Sequence, residues 1–250
     1  MAAPSWPDLK IRPSEERSAR GLQYLRSMSA HFTPALFTFL QQLKRHNTRE
    51  WFDAHRDRYV ELVETPMLRF ITDLGPRLAA ISPAFVVDPR RTGGSMYRIY
   101  RDTRFSADKS PYKTHVAAHF RHETHKSAPS VAGFYFHLEP GDCLGGGGIY
   151  HPDSATLTRI RLAIVENGRE WAAVKKAGLA IEGDTLRRAP AGFDPAHRFV
   201  DDLKRKDHYA LRTFTERDVC RPGFLDRYVD VCREVAPLVA FVTRAVGGRW

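Results

Sequence analysis

Sixteen residues, Arg98 to Lys113 (RIYRDTRFSADKSPYK), hold five cations, two carboxylates and two tyrosines. No other stretch of the chain is so dense in groups that grip an anion. Arginine presents a planar fork of donors matched to carboxylate and phosphate oxygens, and it stays charged at any working pH. Lysine adds a point charge, and tyrosine can donate a hydrogen bond or exchange a proton. Arg98, Arg101, Arg104, Lys109 and Lys113 are therefore the candidate ligand-binding set. Asp102 and Tyr112 are the candidates to move a proton, with Asp102 otherwise the orienting partner of an arginine. Five cations against two acids leave a surplus, and a surplus favours a bound anion. The competing reading is a salt-bridge network in which Asp102 and Asp108 pin the arginines and fix a loop.

Other motifs are weaker. The run Gly145–Gly148 lacks the lysine-serine ending of a phosphate-binding P-loop and the spacing of a dinucleotide fingerprint. It reads as a bulge or tight turn that lets another backbone or a ligand come close. His115 and His119 share one side of a strand, and His137 or His151 would be a third metal ligand. Eleven histidines make accidental clusters common, so surface histidines are the default and no metal is assigned. The cofactor is left open. Cys143, Cys220 and Cys232 form no C-x-x-C pair, which suits reduced thiols in a cytoplasmic protein. No G-x-S-x-G elbow is present.

Elements must position these groups. Residues 1–30 read as a tail with a short helix over Ser14–Met28, and residues 31–250 as one α+β domain. Thr33-Pro34 starts a helix in which Leu36, Phe39, Leu40 and Leu43 form one apolar face. Asn47-Thr48 caps a second, with Phe52, His55, Tyr59 and Leu62 on one side, and Thr65-Pro66 starts a third that runs to about Ala80. The period then changes. Ser95–Arg101, Thr114–His122, Val131–Glu139, Cys143–Tyr150 and His208–Phe214 read as strands, and Ile181–Leu186 as a small hairpin. Short linkers make the sheet mainly antiparallel. Helices begin again at Asp153-Ser154 and near Pro222. The fold class is α+β, with helices at both ends of a central sheet.

The run Arg98, Arg101-Asp102, Arg104-Phe105, Asp108-Lys109 and Tyr112 resembles the signature of a bacterial family catalogued as a domain of unknown function, DUF2461. The resemblance extends to NTREWFDAHRDRY (Asn47–Tyr59), GFYFHLEPGD (Gly133–Asp142) and the segment from Gly145 to Pro152, covering roughly residues 31–245. It implies a soluble single-domain protein with no assigned role, so no residue inherits a function from it. The net charge of +10 suggests nucleic acid, but the signature block carries +3 and the first thirty residues +2, which leaves +5 spread over everything else. No apolar run is long enough to span a membrane, and the first thirty residues lack the apolar stretch of a secretory signal. The expectation is a cytoplasmic protein with a pocket for a small phosphate- or carboxylate-bearing ligand. The alternatives are a nucleic-acid-binding module, with the arginines as an exposed stripe, and a structural role without a ligand.

Overall fold

The computed structural model describes residues 30–125 and 131–250. The expected N-terminal tail and the helix over Ser14–Met28 lie outside the described residues. Pro34 suits the first turn of α1 (Pro34–Arg45), where no N–H is required. Thr33 occupies the cap with extended backbone, but its hydroxyl makes no capping hydrogen bond. Leu36, Phe39, Leu40 and Leu43 are buried as their period demands. Thr48 does cap, accepting from Trp51 N at 3.3 Å at the start of α2 (Arg49–Ala54).

The second helix breaks earlier than its apolar period suggests. His55 Nδ1 donates to Trp51 O at 2.7 Å, the carbonyl that the His55 N–H would take in an unbroken α-helix. That N–H turns to Phe52 O instead. Helix resumes as α3 (Arg56–Tyr59), widens into a π turn over Val60–Glu64, and runs on as α4 (Thr65–Ala79). The separate helix start expected at Thr65-Pro66 is thus absent, and the Thr65 N–H bonds Val60 O, five residues back. Pro66 accounts for the widening. It has no N–H for Leu62 O, and its ring would press on that carbonyl in a tight α-turn.

Strands β1 (Val116–Arg121), β2 (Gly133–Glu139), β3 (Asp142–Ile149) and β4 (His208–Phe214) form one antiparallel sheet in chain order. Between β3 and β4 lie α5 (Ser154–Glu166), capped by the Asp153 carboxylate, α6 (Gly168–Lys176) and the short α7 (Val200–Leu203). After β4 come α8 (Glu216–Val219) and the long α9 (Phe224–Ala245). Helices at both ends of an antiparallel sheet make the fold α+β, as expected. Among the described residues no helix is long and apolar enough to cross a membrane.

Strand alternation gives the sheet two unlike faces. Val116, Ala118, Phe120, Phe134, Phe136 and Leu138 are buried on the face covered by α4 and α9. Phe70, Phe136, Phe224 and Tyr228 cluster there, with the Phe70 and Phe136 ring centres 4.7 Å apart. The glycine run makes neither turn nor bulge, because its register with β2 and β4 is unbroken. What comes close is α9. A Cβ at Gly145 would sit 2.6 Å from the Tyr228 ring, and one at Gly147 would sit 2.7 Å from Val239.

Two expected β elements are not formed. Ser95–Arg101 pairs with the chain ahead of it only at isolated bridges, Met96 with Ala118 and Tyr100 with Tyr112. Three residues (97–99) then face five (113–117), and that two-residue mismatch prevents a continuous ladder. Ile181–Leu186 makes no hairpin of its own. Glu182 bridges Tyr209 and Thr185 bridges Arg205, while the buried Asp207 carboxylate accepts from the backbone of Asp184 and of His151.

Candidate functional site on the open face of the sheet

The residues that alternate with the core positions point to the opposite face: His119 and Arg121 on β1, Tyr135 and His137 on β2, Leu144 on β3, and Tyr209 and Leu211 on β4. They line a cavity of about 510 Å³, a size suited to a small ligand. Tyr97, Lys113 and His115 complete one wall. The register mismatch beside β1 falls at residues 113–117, so Lys113 and His115 leave the ladder where they reach this wall.

Tyr97 is the hub of the cationic side. Lys113 Nζ lies 5.1 Å and the Arg121 guanidinium 6.0 Å from its ring centre. Arg121 Nε donates to His119 Nδ1 at 3.2 Å, and the Tyr97 hydroxyl lies 3.3 Å from the same nitrogen. His119 Nδ1 is therefore the acceptor and the ring is neutral. Burial first, and then the Arg121 charge, lowers its pKa to about 4. Burial lowers the pKa of Lys113 too, with Arg98 as the second cause. Neither Lys113 nor Arg121 has a carboxylate partner among the described residues, in a chain where arginine–carboxylate pairs are frequent.

A second cluster adjoins this wall. His115, His137 and Glu139 each present a ligand atom within 4.8 Å of the others. His115 Nδ1 and His137 Nε2 lie 4.0 and 3.7 Å from Glu139 Oε2. Burial is the main cause that lowers the pKa of both rings, to about 4 for His115, so both are neutral near pH 7. Burial also pushes the Tyr135 phenol up to about 12. Among the described residues, His115, His137 and Glu139 are the group that could hold a metal ion.

The signature block lies largely elsewhere. Arg101 is held by Asp108 and by Ser110 Oγ at 2.5 Å. Arg104 grips Asp102 through Nε at 3.0 Å and Nη2 at 2.7 Å, and Lys109 Nζ donates to Thr103 O at 2.9 Å. Arg98 is exposed and bonds no described residue, although its charge is felt at Asp102 and Lys113. Hydrogen bonds from the Arg104 side chain and backbone hold the Asp102 carboxyl at about 2, which makes Asp102 a weak proton acceptor at neutral pH. Tyr112 is buried, stacks on Phe52 with ring centres 4.1 Å apart, and has both backbone groups bonded by the Asn47 amide at 3.0 Å. Burial raises its phenol pKa. Tyr112 and Arg101 line a smaller cavity of about 310 Å³ with Arg49, Asp53, Arg56 and Tyr100. Of the seven candidate residues, only Lys113 reaches the sheet-face cavity. Arg121, Tyr135 and Tyr209 were not among the sequence candidates. The alternation of Tyr135, His137 and Glu139 with Phe134, Phe136 and Leu138 is the signal that finds two of the wall residues.

Fold and cavity together define a class: an α+β protein whose antiparallel sheet is covered by helices on one face and carries a cationic, aromatic cavity on the other. Within that class the chain belongs to the family described as conserved hypothetical protein (DUF2461), whose family model matches residues 35–241. Neither a curated protein nor a solved structure matches the chain.

Proposed function

We propose that the protein binds a small ligand bearing a carboxylate or phosphate in the sheet-face cavity, with Lys113 and Arg121 as the anion-holding pair. One observation carries the reading: two cations share the Tyr97 ring beside this cavity, and no acid neutralises them among the described residues. Val131, Leu144 and Leu211 give the cavity an apolar lining, and Tyr97, Tyr135 and Tyr209 offer rings for packing. The ligand this suits has a charged end and a planar or apolar body. Arg101, Arg104 and Lys109 act as the frame of the adjacent loop, with Asp108 and Ser110, Asp102, and the Thr103 carbonyl as their respective internal partners, and Arg98 is a cation at its margin. Tyr112 anchors the return of that loop towards Lys113.

A thermal-shift series with inorganic phosphate, benzoate, nucleotides and a short polynucleotide tests the reading. A ligand at about a hundred times its dissociation constant adds about 2.7 kcal/mol, or roughly 5–11 °C for a chain of this size. The expected result is a saturable shift of that order with one class of small anion. A shift only with polynucleotide, falling steeply with salt, would overturn the cavity reading in favour of an exposed stripe.

A further inference from the structure

The sequence favours surface histidines over a metal, but the folded arrangement of His115, His137 and Glu139 argues otherwise. His137 and Glu139 are two apart on β2 and so share the open face. Continuing the β1–β2 register places His115 opposite Glu139, just before β1 begins. His119, the other histidine on that side of the strand, bonds Tyr97 and Arg121 and takes no part.

The spacing does not fit hydrogen bonding. At 3.7 and 4.0 Å the imidazole nitrogens are too far from Glu139 Oε2 to bond it. Four ligands at about 2.1 Å around a tetrahedral ion lie about 3.4 Å from one another; the two gaps to Glu139 are longer than such an edge by roughly 0.3 and 0.6 Å, and all three ligand atoms lie within 4.8 Å, so small side-chain rotations bring them onto one ion. His137 Nε2 is buried and has no hydrogen-bond partner. The other ring nitrogen lies 3.0 Å from the Tyr135 hydroxyl. With the proton on Nδ1 and donated to that hydroxyl, Nε2 turns a lone pair towards Glu139. The opposite tautomer would leave a buried N–H with nothing to bond. The carboxylate is oriented as well, because Thr114 Oγ1 donates to Glu139 Oε1 at 2.8 Å and leaves Oε2 for the histidines. Two outer bonds that aim two inner ligands are the supports a metal site uses.

We propose that His115, His137 and Glu139 bind a divalent transition-metal ion, zinc being the first candidate. Two imidazoles and a carboxylate suit zinc, iron(II) or manganese(II) and leave at least one coordination position unfilled. His115 and His137 both line the sheet-face cavity, so the open position faces it. The site does not depend on the anion reading, because Lys113 and Arg121 are not ligands.

The test is metal binding by the full-length chain after chelator treatment, followed by calorimetry with Zn²⁺ and by the visible spectrum with Co²⁺. The expected result is one ion per chain and a Co²⁺ spectrum typical of low coordination number. His115→Ala and Glu139→Gln each weaken binding about 100-fold or more, and Thr114→Val weakens it roughly 10- to 100-fold. The exposed His46→Ala leaves binding unchanged, and metal-free melting curves of all variants match the parent, which separates lost ligation from lost folding. Lys113→Met retains full stoichiometry, so failure of the anion reading would leave this result intact. No binding of Zn²⁺, Co²⁺ or Mn²⁺ at millimolar concentration overturns the proposal. So does binding that survives His115→Ala and Glu139→Gln.

Discussion

Replacing Lys113 with methionine separates the sheet-face cavity from the arginine loop. Methionine keeps most of the apolar stem against Tyr97 and removes only the charge. In the free protein that charge is half-buried, has no carboxylate partner among the described residues, and gains only its 5.1 Å approach to the Tyr97 ring. A cation–π contact at a partly exposed site contributes about 0.5–1 kcal/mol, and relief of the desolvated cation offsets it. Stability should therefore change by less than about 1 kcal/mol in urea titration. Binding should change far more. A hydrogen bond from a charged group to an anion contributes about 1.5–3 kcal/mol, so affinity for the small anion should fall roughly 10- to 150-fold by calorimetry. Arg101→Ala is the comparator. Its side chain bonds Asp108, Ser110 and Ser106 within the loop, so it should loosen that loop and leave the affinity within about twofold. The reasoning is refuted if Arg101→Ala abolishes anion binding while Lys113→Met does not, which would put the ligand in the smaller cavity beside Tyr112.

Two further outcomes follow from the core. Gly145→Ala places a methyl 2.6 Å from the fully buried Tyr228 ring, so overpacking should cost about 1–3 kcal/mol and lower the melting temperature by several degrees; an unchanged melting curve would show that α9 can move off the sheet. His208 is fully buried against Trp171, Asp202, Arg205 and Arg161, and burial lowers its pKa to about 4. The unfolded chain, with an ordinary value near 6.5, then binds the proton more readily. Stability is full above that value and falls as pH drops, by about 2 kcal/mol between pH 7 and 5 from this residue alone. Other buried histidines add to the slope, so the readout is the difference from His208→Gln, whose profile should be flatter by that amount.

The helices and strands were legible where the apolar period was long. Leu36 to Leu43 on α1 and Phe134 to Leu138 on β2 bury the residues that their spacing marks. The misplaced elements share a cause, a local bond or mismatch that periodicity does not encode. His55 takes a helical carbonyl with its own ring, Pro66 widens the helix instead of starting one, and a two-residue register slip leaves Ser95–Arg101 with bridges only. The glycine run was correctly a point of close approach. Its partner, an α9 more than seventy residues later in the chain, could not be read from the run itself.

Charge density marks a block whose cations are mostly held within it, and the reason is specific. Asp102 accepts the backbone N–H of Arg104 and grips its guanidinium, and Asp88 does the same to Arg90. An aspartate two residues before an arginine thus closes a small ring on itself and consumes the cation locally. Asp108 accepts from both Ser110 groups and from Arg101 in a similar turn. Subtracting these pairs from the block leaves Arg98, Lys109 and Lys113 without an acid partner among the described residues; Lys109 is taken by the Thr103 carbonyl, and of the three only Lys113 faces the cavity. The same subtraction brings forward Arg121, whose neighbours in sequence include no aspartate at that spacing. A cation count becomes informative about ligands only after each cation's short-range acid has been removed from it. On that count, the open face of the sheet, rather than the arginine loop, is the place where the proposed anion site is to be tested.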